Sequence, residues 1–171
     1  MKRHALLTTT LFVGAALAGC SGPQPSLQAE GSPAPAPAVA SAVNDGRKVE
    51  IVANDTMKFS FVEIHAKPGE RLSVTLVNKG LTPKFSMGHN WILIKPEVNV
   101  DALLATAAES PTTEYVPAAS RGQILASTKL LGPGEQDTAT FAAPATAGQY
   151  PFLCSYPGHA QVGMRGVLIV D

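Results

Sequence analysis

This sequence of 171 residues has few cysteines, no excess of charge and no long hydrophobic run. Its two cysteines, Cys20 and Cys154, can form at most one disulfide, so the chain is not a disulfide-rich scaffold. The 13 basic residues are balanced by 13 acidic ones, so neither nucleic-acid binding nor strong steering of a charged partner is expected. The apolar stretch from Ala5 to Ala18 is, at roughly 14 residues, too short to span a bilayer as a helix.

The first residues predict an export signal. A short basic segment, Met1–His4, precedes the apolar stretch. The run Leu17-Ala18-Gly19-Cys20 resembles the bacterial lipoprotein signal, in which cleavage precedes the cysteine and the new N-terminus is acylated. The resemblance implies a signal peptide at 1–19 and a lipid on Cys20, and two or more acyl chains give stable membrane anchoring. The alternative is an ordinary secreted protein with a chance cysteine.

Residues 20–46 predict a tether that follows the lipidated cysteine. The segment is rich in Pro, Ala, Ser and Gly and has almost no large apolar residues, so it cannot bury enough surface to fold. As a flexible coil it would reach roughly 30 Å. If Cys20 carries lipid, Cys154 has no disulfide partner, and a lone thiol in an oxidising compartment is a liability unless it is buried or bound.

The pattern changes at Arg47, and residues 47–171 predict one all-β domain. The clearest strand is Glu70–Val77, where apolar and polar residues alternate between the turn signals Pro68-Gly69 and Asn78-Lys79-Gly80. Further strands are expected around Val49–Ala53, in the apolar run Phe59–Ile64, and at Asn90–Lys95, Arg121–Lys129, Gln136–Phe141, Gln149–Cys154 and Gly166–Val170. About eight short strands punctuated by Gly and Pro predict a β-sandwich.

One segment predicts a helix instead. Residues Asp101–Glu109 are good helix formers, with Asp101 as the N-cap and Pro111 as the stop. We expect one short helix inside a flap of about twenty residues between two strands.

The stretch CSYPGHAQVGM places Cys154, His159 and Met164 within eleven residues. Pro157-Gly158 predicts a turn, and the chain leaves one strand at Cys154 and enters the next near Val167, so these side chains should project from one end of the sandwich. Thiolate and imidazole select copper or zinc over calcium or magnesium. One Cys, two His and a weak axial Met form a blue-copper ligand set.

The second histidine must come from elsewhere in the domain, which offers His65 and His89. His65 reads as an ordinary edge or surface histidine. His89 follows Gly88, and a glycine lets the backbone approach a ligand closely. Each candidate also has an ordinary explanation, because Cys154 could be an inert buried thiol, Met164 a core filler and His89 a hydrogen-bonded core histidine. Their occurrence together favours a metal site.

Five segments of the domain resemble the azurins, which are blue-copper proteins of the cupredoxin family. In chain order these segments are Asn54–Phe59, Leu81–Lys84, Met87–Trp91, Thr128–Glu135 and Cys154–His159. The resemblance implies a Greek-key β-sandwich that binds one type 1 copper, cycling between Cu(I) and Cu(II). It implies His89, Cys154 and His159 as equatorial ligands, Met164 as a long axial ligand and the Gly88 carbonyl on the opposite axial side.

The same resemblance implies roles for the surrounding residues. The backbone N–H of Asn90 would donate to the Cys154 sulfur, the Asn90 side chain would brace the two ligand loops, and Trp91 would be a buried core indole. An apolar docking patch around the outer edge of His159 would consist of Met57, Leu81, Met87, Tyr156, Gly158 and Ala160. Such a patch suits transient redox partners that bury less than about 1,200 Å².

Three features depart from the azurin pattern. Four residues separate His159 from Met164, where azurins usually have three, and the longer spacing is similar to that of auracyanins and plastocyanins. The domain lacks the cysteines for the disulfide that azurins carry. Pro151 lies in the strand that leads to Cys154, where a proline removes a ladder donor, so we expect a bulge or an edge position there.

These observations together predict a monomeric electron carrier of the type 1 copper class, anchored to a bacterial membrane on the periplasmic or cell-surface side. The outer membrane is favoured if the organism is Gram-negative, because Ser21 after Cys20 is compatible with outer-membrane sorting. An enzyme is not expected, since no general acid or base is identifiable and a copper reductase of the nitrite type would need a second copper site. The alternatives are a copper storage or delivery module and an adhesion domain with a vestigial metal site.

Overall fold

The computed structural model describes residues 45–171. The expected signal peptide, the lipid on Cys20 and the tether up to residue 44 lie outside the described residues and stay predictions. Within the described part of the chain, no helix is long and apolar enough to cross a membrane.

Eight strands in residues 45–171 form two sheets that face each other. The strands are β1 (Arg47–Ala53), β2 (Glu63–Ala66), β3 (Arg71–Asn78), β4 (Ile92–Ile94), β5 (Ile124–Ser127), β6 (Gln136–Ala142), β7 (Gly148–Leu153) and β8 (Arg165–Val170). One sheet has the order β1-β3-β6 and the other has the order β2-β8-β7-β4-β5. The predicted all-β sandwich of about eight strands is therefore confirmed.

The core lies between the two sheets and follows from the alternation in the strands. Leu72, Val74 and Leu76 on β3 are fully buried, as the pattern of this strand predicts. From the other sheet, Phe152 packs against Trp91, with ring centroids 5.6 Å apart. Burying each such side chain stabilises the fold by about 1.5–3 kcal/mol. Cys154 and Met164 belong to the same core, which therefore extends to the end of the sandwich where β7 and β8 are joined.

Two α-helices occur in the described chain, one more than the sequence predicts. Helix α1 (Lys84–Met87) is a single turn directly before Gly88. Helix α2 (Val100–Ala108) is the expected helix of the flap, but its N-cap is Asn99, whose side chain accepts a hydrogen bond from the Ala102 N–H at 3.0 Å. The prediction of Asp101 as N-cap was wrong. Asp101 lies in the first turn, where its negative charge interacts favourably with the positive end of the helix dipole.

Two other expectations about elements need correction. The apolar run Phe59–Ile64 is not a continuous strand, because Phe59 only bridges Ala53, and Phe61 and Val62 are exposed before β2 begins. The strand expected from Arg121 begins only at Ile124, since residues Ala118–Gln123 form a 3₁₀ helix. A second 3₁₀ turn, Pro111–Thr113, precedes it in the flap.

Pro151 lies in the central strand β7, not at an edge. Its ladder partner Val167 donates its N–H to Val62 on the far side, so the Pro151 nitrogen faces β4. The pairing of β4 with β7 ends where Leu93 lies opposite Phe152. Pro151 is the next residue along this ladder, so no hydrogen bond to β4 is required from its nitrogen. The proline therefore falls where the β4–β7 ladder has already ended.

Candidate metal centre

Three side chains from two distant parts of the chain meet at one end of the sandwich. The ligand atoms of His89, Cys154 and His159 all lie within 4.8 Å of one another. His89 and Cys154 are fully buried, and His159 is 3% exposed. The sequence interpretation that selected His89 rather than His65 as the second histidine agrees with this placement.

The His89 segment is held in place by its backbone. His89 and Leu131 form a two-way bridge, in which His89 N–H donates to the Leu131 carbonyl at 3.1 Å and Leu131 N–H donates to the His89 carbonyl at 2.8 Å. Gly88 needs to be glycine because of space, since a Cβ there would lie 2.7 Å from the Lys84 carbonyl oxygen and 2.9 Å from the Leu130 side chain. The chain can therefore turn from α1 into the metal end only with a glycine before the histidine.

The second segment is the loop that joins β7 to β8. Cys154 directly follows β7, and its N–H donates to the Met164 carbonyl at 3.0 Å. The Met164 N–H donates to the His159 carbonyl at 3.0 Å. The loop turns at Gly158 and Gly163, which have φ of 86° and 98°, values that favour glycine. Met164 is fully buried at the base of this loop.

Burial opposes the charged form of all three candidate ligands. It raises the pKa of the Cys154 thiol to about 12, although the backbone N–H groups of Asn90 and Tyr156 act in the opposite direction. It lowers the pKa of His159 to about 4, with a further contribution from repulsion by His89. The pKa of His89 is also lowered by burial, against the opposing effects of the Asp55 carboxylate and the Asn54 backbone.

The cluster has the properties of a metal site rather than of a satisfied core. Neither ring nitrogen of His89 has a hydrogen-bond partner among the described residues, although both are buried. Buried polar atoms are normally paired, and a metal ion would be the partner of one of these two nitrogens. The Cys154 sulfur lies 3.5 Å from His159 Nδ1. A thiolate with two imidazoles fits copper or zinc, and a metal ion would supply the driving force that removes the thiol proton.

Asn90 joins the two ligand segments through its side chain. Its Oδ1 accepts a hydrogen bond from the Ser155 N–H at 2.8 Å, and its Nδ2 donates to Ser155 Oγ at 2.8 Å. The next residue, Trp91, is fully buried, and its N–H donates to Thr128 Oγ1 at 3.0 Å. Asn90 and Trp91 thus lie where the resemblance places them, and the segments that carry His89 and Cys154 are directly linked.

His65 lies apart from this cluster. It is on β2, and its side chain is 57% exposed. Its Nε2 is 2.9 Å from Glu63 Oε1 and its Nδ1 is 3.4 Å from Asp171 Oδ2. The interpretation of His65 as an edge histidine agrees with this position.

The expected docking patch is exposed only in part. Leu81 is 87% exposed, Gly158 is exposed, and Met57, Met87 and Tyr156 are half-buried. Ala160 was wrongly included, because it is fully buried against a second apolar cluster that contains Leu104 of α2.

Sequence reasoning missed Phe85, which is 83% exposed on α1. Its carbonyl accepts a hydrogen bond from the Tyr156 hydroxyl at 2.7 Å, so it lies beside the metal loop. The only signal was its position between the segments Leu81–Lys84 and Met87–Trp91, and the unpredicted helix α1 is what presents it to solvent. The Tyr156 ring in turn contacts the His159 ring, with centroids 4.6 Å apart.

Comparison with known proteins gives the same assignment. Residues 46–171 match the model of copper binding proteins, plastocyanin/azurin family. Azurin of Pseudomonas chlororaphis is 36% identical over 127 residues, which cover 72% of this chain and 97% of that protein. Outer membrane protein H.8 of Neisseria gonorrhoeae is 33% identical over 123 residues, 71% of this chain, and the match spans 66% of that protein.

Solved structures agree with the sequence matches. The crystal structure of dithionite-reduced auracyanin from the photosynthetic bacterium Roseiflexus castenholzii has a TM-score of 0.64 and 35% identity, over 72% of this chain and 96% of that chain. The resemblance to azurins is confirmed, and the cluster of His89, Cys154 and His159 is a site for a single type 1 copper. The chain belongs to the plastocyanin/azurin family of copper-binding proteins.

Proposed function

We propose that the protein carries single electrons between redox partners through its type 1 copper while a lipid tethers it to a membrane. The observation that carries the proposal is the convergence of His89, Cys154 and His159 within 4.8 Å on segments joined by backbone and side-chain hydrogen bonds. Copper bound there would supply the one-electron couple. The protein supplies a donor set that needs little rearrangement between oxidation states, because the backbone of each ligand is already braced.

Two further residues would help to hold the copper. Met164 is fully buried at the base of the ligand loop, and Gly88 directly precedes His89. We infer that the Met164 thioether and the Gly88 carbonyl would complete the set of donor atoms that holds the copper, and that the backbone N–H of Asn90 donates to the Cys154 sulfur. Axial ligands and hydrogen bonds to sulfur set the reduction potential of such a site.

Electrons would enter and leave near His159, the one ligand of the three with measurable exposure. Without the buried Ala160 and with the exposed Phe85, the docking patch consists of Met57, Leu81, Phe85, Met87, Tyr156 and Gly158. Its carboxylate neighbour Asp55 is already engaged, because it accepts a hydrogen bond from the Leu81 N–H at 3.0 Å, and this bond lowers its pKa. A small apolar surface of this kind suits brief contact with redox proteins, which we infer to be the partners.

Export and anchoring complete the proposal. The relative from Neisseria gonorrhoeae is named as an outer membrane protein, and its match covers 71% of this chain. We infer that this protein is likewise exported and is held by lipid on Cys20, with residues 20–46 as the tether.

We infer a carrier rather than an enzyme. A copper reductase of the nitrite type would need a second copper site, and His65, the remaining histidine of the domain, is engaged by Glu63 and Asp171. In the described residues, His89, Cys154 and His159 form the single cluster of three or more metal-binding side chains.

The visible spectrum of the copper-loaded protein tests the site, and its kinetics test the function. Cu(II) added to the apo-protein should give an intense thiolate-to-copper charge-transfer band, which Cys154→Ser should abolish while the far-UV circular dichroism stays unchanged. An electron carrier should show fast electron self-exchange and slow Cu(I) release. Slow self-exchange with rapid transfer of copper to a chelator would instead support storage or delivery, and a colourless protein with intact Cys154 would reject the electron carrier.

A further inference from the structure

The flap that follows α2 contacts the metal end through two residues in an unusual conformation. Glu114 and Tyr115 have φ of 57° and 62°, in the left-handed region that non-glycine residues avoid. Two such residues in succession persist only when the surrounding contacts hold them there. The contacts of Glu114 explain what the conformation achieves.

Glu114 contacts three residues on two other segments of the chain. Its Oε2 accepts a hydrogen bond from the Leu130 N–H at 3.1 Å, and its Oε1 lies 3.3 Å from Lys84 Nζ. Its backbone carbonyl accepts a hydrogen bond from Asn90 Nδ2 at 3.1 Å. Lys84 begins α1, which leads to His89, so all three contacts lie on or beside the His89 segment.

Two of these contacts lie close to residues that support the ligands. Leu130 precedes Leu131, which forms the two-way backbone bridge with His89. Asn90 follows His89, and its side chain holds the Ser155 backbone next to Cys154. Glu114 therefore contacts both Leu130, next to the backbone bridge that supports His89, and Asn90, which links the His89 segment to the Cys154 segment.

The neighbouring residue strengthens the same connection. The Tyr115 carbonyl accepts a hydrogen bond from Ser155 Oγ at 2.7 Å. Its ring packs edge-on against Tyr156, with centroids 4.9 Å apart. Because Glu114 and Tyr115 are adjacent, the left-handed turn presents one carbonyl to the His89 side and the next to the Cys154 side.

We propose that Glu114 is a positioning residue of the copper site, which fixes the spacing of the two ligand-bearing segments by holding the flap against both of them. The expected consequence, tightly held copper, rests on the proposed function, whereas the contacts of Glu114 do not depend on it. Among the side-chain contacts of Glu114, the hydrogen bond that Oε2 accepts from the Leu130 N–H contributes most to this positioning. The Lys84 pair contributes little because its side chains are 40% and 43% exposed and therefore screened.

The test uses two substitutions at Glu114 and one matched control. Glu114→Ala removes the acceptor and the charge, whereas Glu114→Gln keeps an acceptor oxygen and removes the charge. Glu109→Ala is the control, because Glu109 lies in the same flap at the end of α2 and is exposed. Two measurements are made on each protein: the rate of Cu(I) release to an excess of chelator, and amide hydrogen exchange of the apo-protein at Ser155 and in β3.

Glu114→Ala should release Cu(I) roughly tenfold faster, at the lower end of the range for residues that support metal ligands. In its apo form the Ser155 amide should exchange faster while β3 amides keep their protection. Glu114→Gln and Glu109→Ala should resemble the parent protein in both measurements.

Unchanged Ser155 exchange in Glu114→Ala would overturn the proposal. So would equal acceleration at Ser155 and in β3, which would indicate general destabilisation, or an effect of Glu109→Ala as large as that of Glu114→Ala. A parent protein without the charge-transfer band would reject the proposed function instead, and the apo exchange measurement would still decide the role of Glu114.

Discussion

Cys154 and Met164 face each other across the end of the β7–β8 ladder, and the Cys154 N–H donates to the Met164 carbonyl at 3.0 Å. This pair continues the register of Leu153 with Arg165, so the ligand loop leaves and re-enters the sheet without a shift. The extra residue between His159 and Met164 is therefore absorbed within the loop. Gly163 closes a turn there, with its N–H donating to the Ala160 carbonyl at 3.1 Å.

We expect Gly163→Ala to destabilise the apo-protein by about 1–2 kcal/mol, because a side chain must adopt the left-handed conformation at this position. Its Cβ would also lie 2.7 Å from Lys58 Nζ, which donates to the Val162 carbonyl. Urea unfolding of the metal-free protein measures the effect. Gly122→Ala is the matched control, since a Cβ there meets no atom within 4 Å, and its effect should stay within about 0.5 kcal/mol. Equal effects of the two changes would contradict the assignment of strain to Gly163.

The apo-protein should lose stability as the pH falls from about 6.5 to about 4. Burial lowers the pKa of His159 from 6.5 to about 4, so the unfolded chain binds a proton in this range before the folded protein does. The stabilisation is present above pH 6.5 and is lost as the pH approaches the folded value, by at most about 3 kcal/mol. Urea midpoints between pH 7.5 and 4 measure the slope, which His159→Gln should reduce. A flat profile in the parent protein would show that His159 is not protected from protonation.

His65 should act in the opposite direction. Its hydrogen bonds to Glu63 and then to Asp171 raise its pKa above 6.5, so the folded state favours the protonated form. Its contribution is therefore complete below pH 6.5 and is lost as the pH rises through the folded value. The effect should be small because the side chain is exposed, and salt should weaken it further. Histidine chemical shifts followed by NMR titration, with Glu63→Gln as the comparison, measure the pKa directly, and an unchanged value in that variant would contradict the assigned cause.

The ligand loop was predictable because its chemistry is local, whereas its surroundings depend on contacts over long distances. Cys154 and His159 are five residues apart with a turn between them, so their proximity follows from the sequence. The burial of Ala160 depends on where α2 packs, and nothing in the loop itself indicates this. In the same way, the role of Glu114 comes from a left-handed turn that brings three segments together, and a glutamate in a flap carries no such signal. The N-cap of α2 was predicted two positions too late, because Asn99 and Asp101 are both good capping residues and the sequence does not distinguish them.

The docking patch predicts that a charge at its exposed aromatic residue slows electron self-exchange. Phe85 is 83% exposed beside the His159 loop, and two molecules that meet through this surface would bring their Phe85 positions together. Phe85→Glu should therefore reduce the self-exchange rate at low ionic strength by at least about tenfold, through repulsion between like charges, and added salt should restore part of the rate. Phe61→Glu is the matched control, because Phe61 is 56% exposed but lies before β2, in a groove lined by Arg47 and His65. NMR line broadening in mixtures of reduced and oxidised protein measures the rate, and the visible spectrum should be the same in both variants. If Phe61→Glu slows exchange as much as Phe85→Glu does, overall charge rather than the patch controls the encounter.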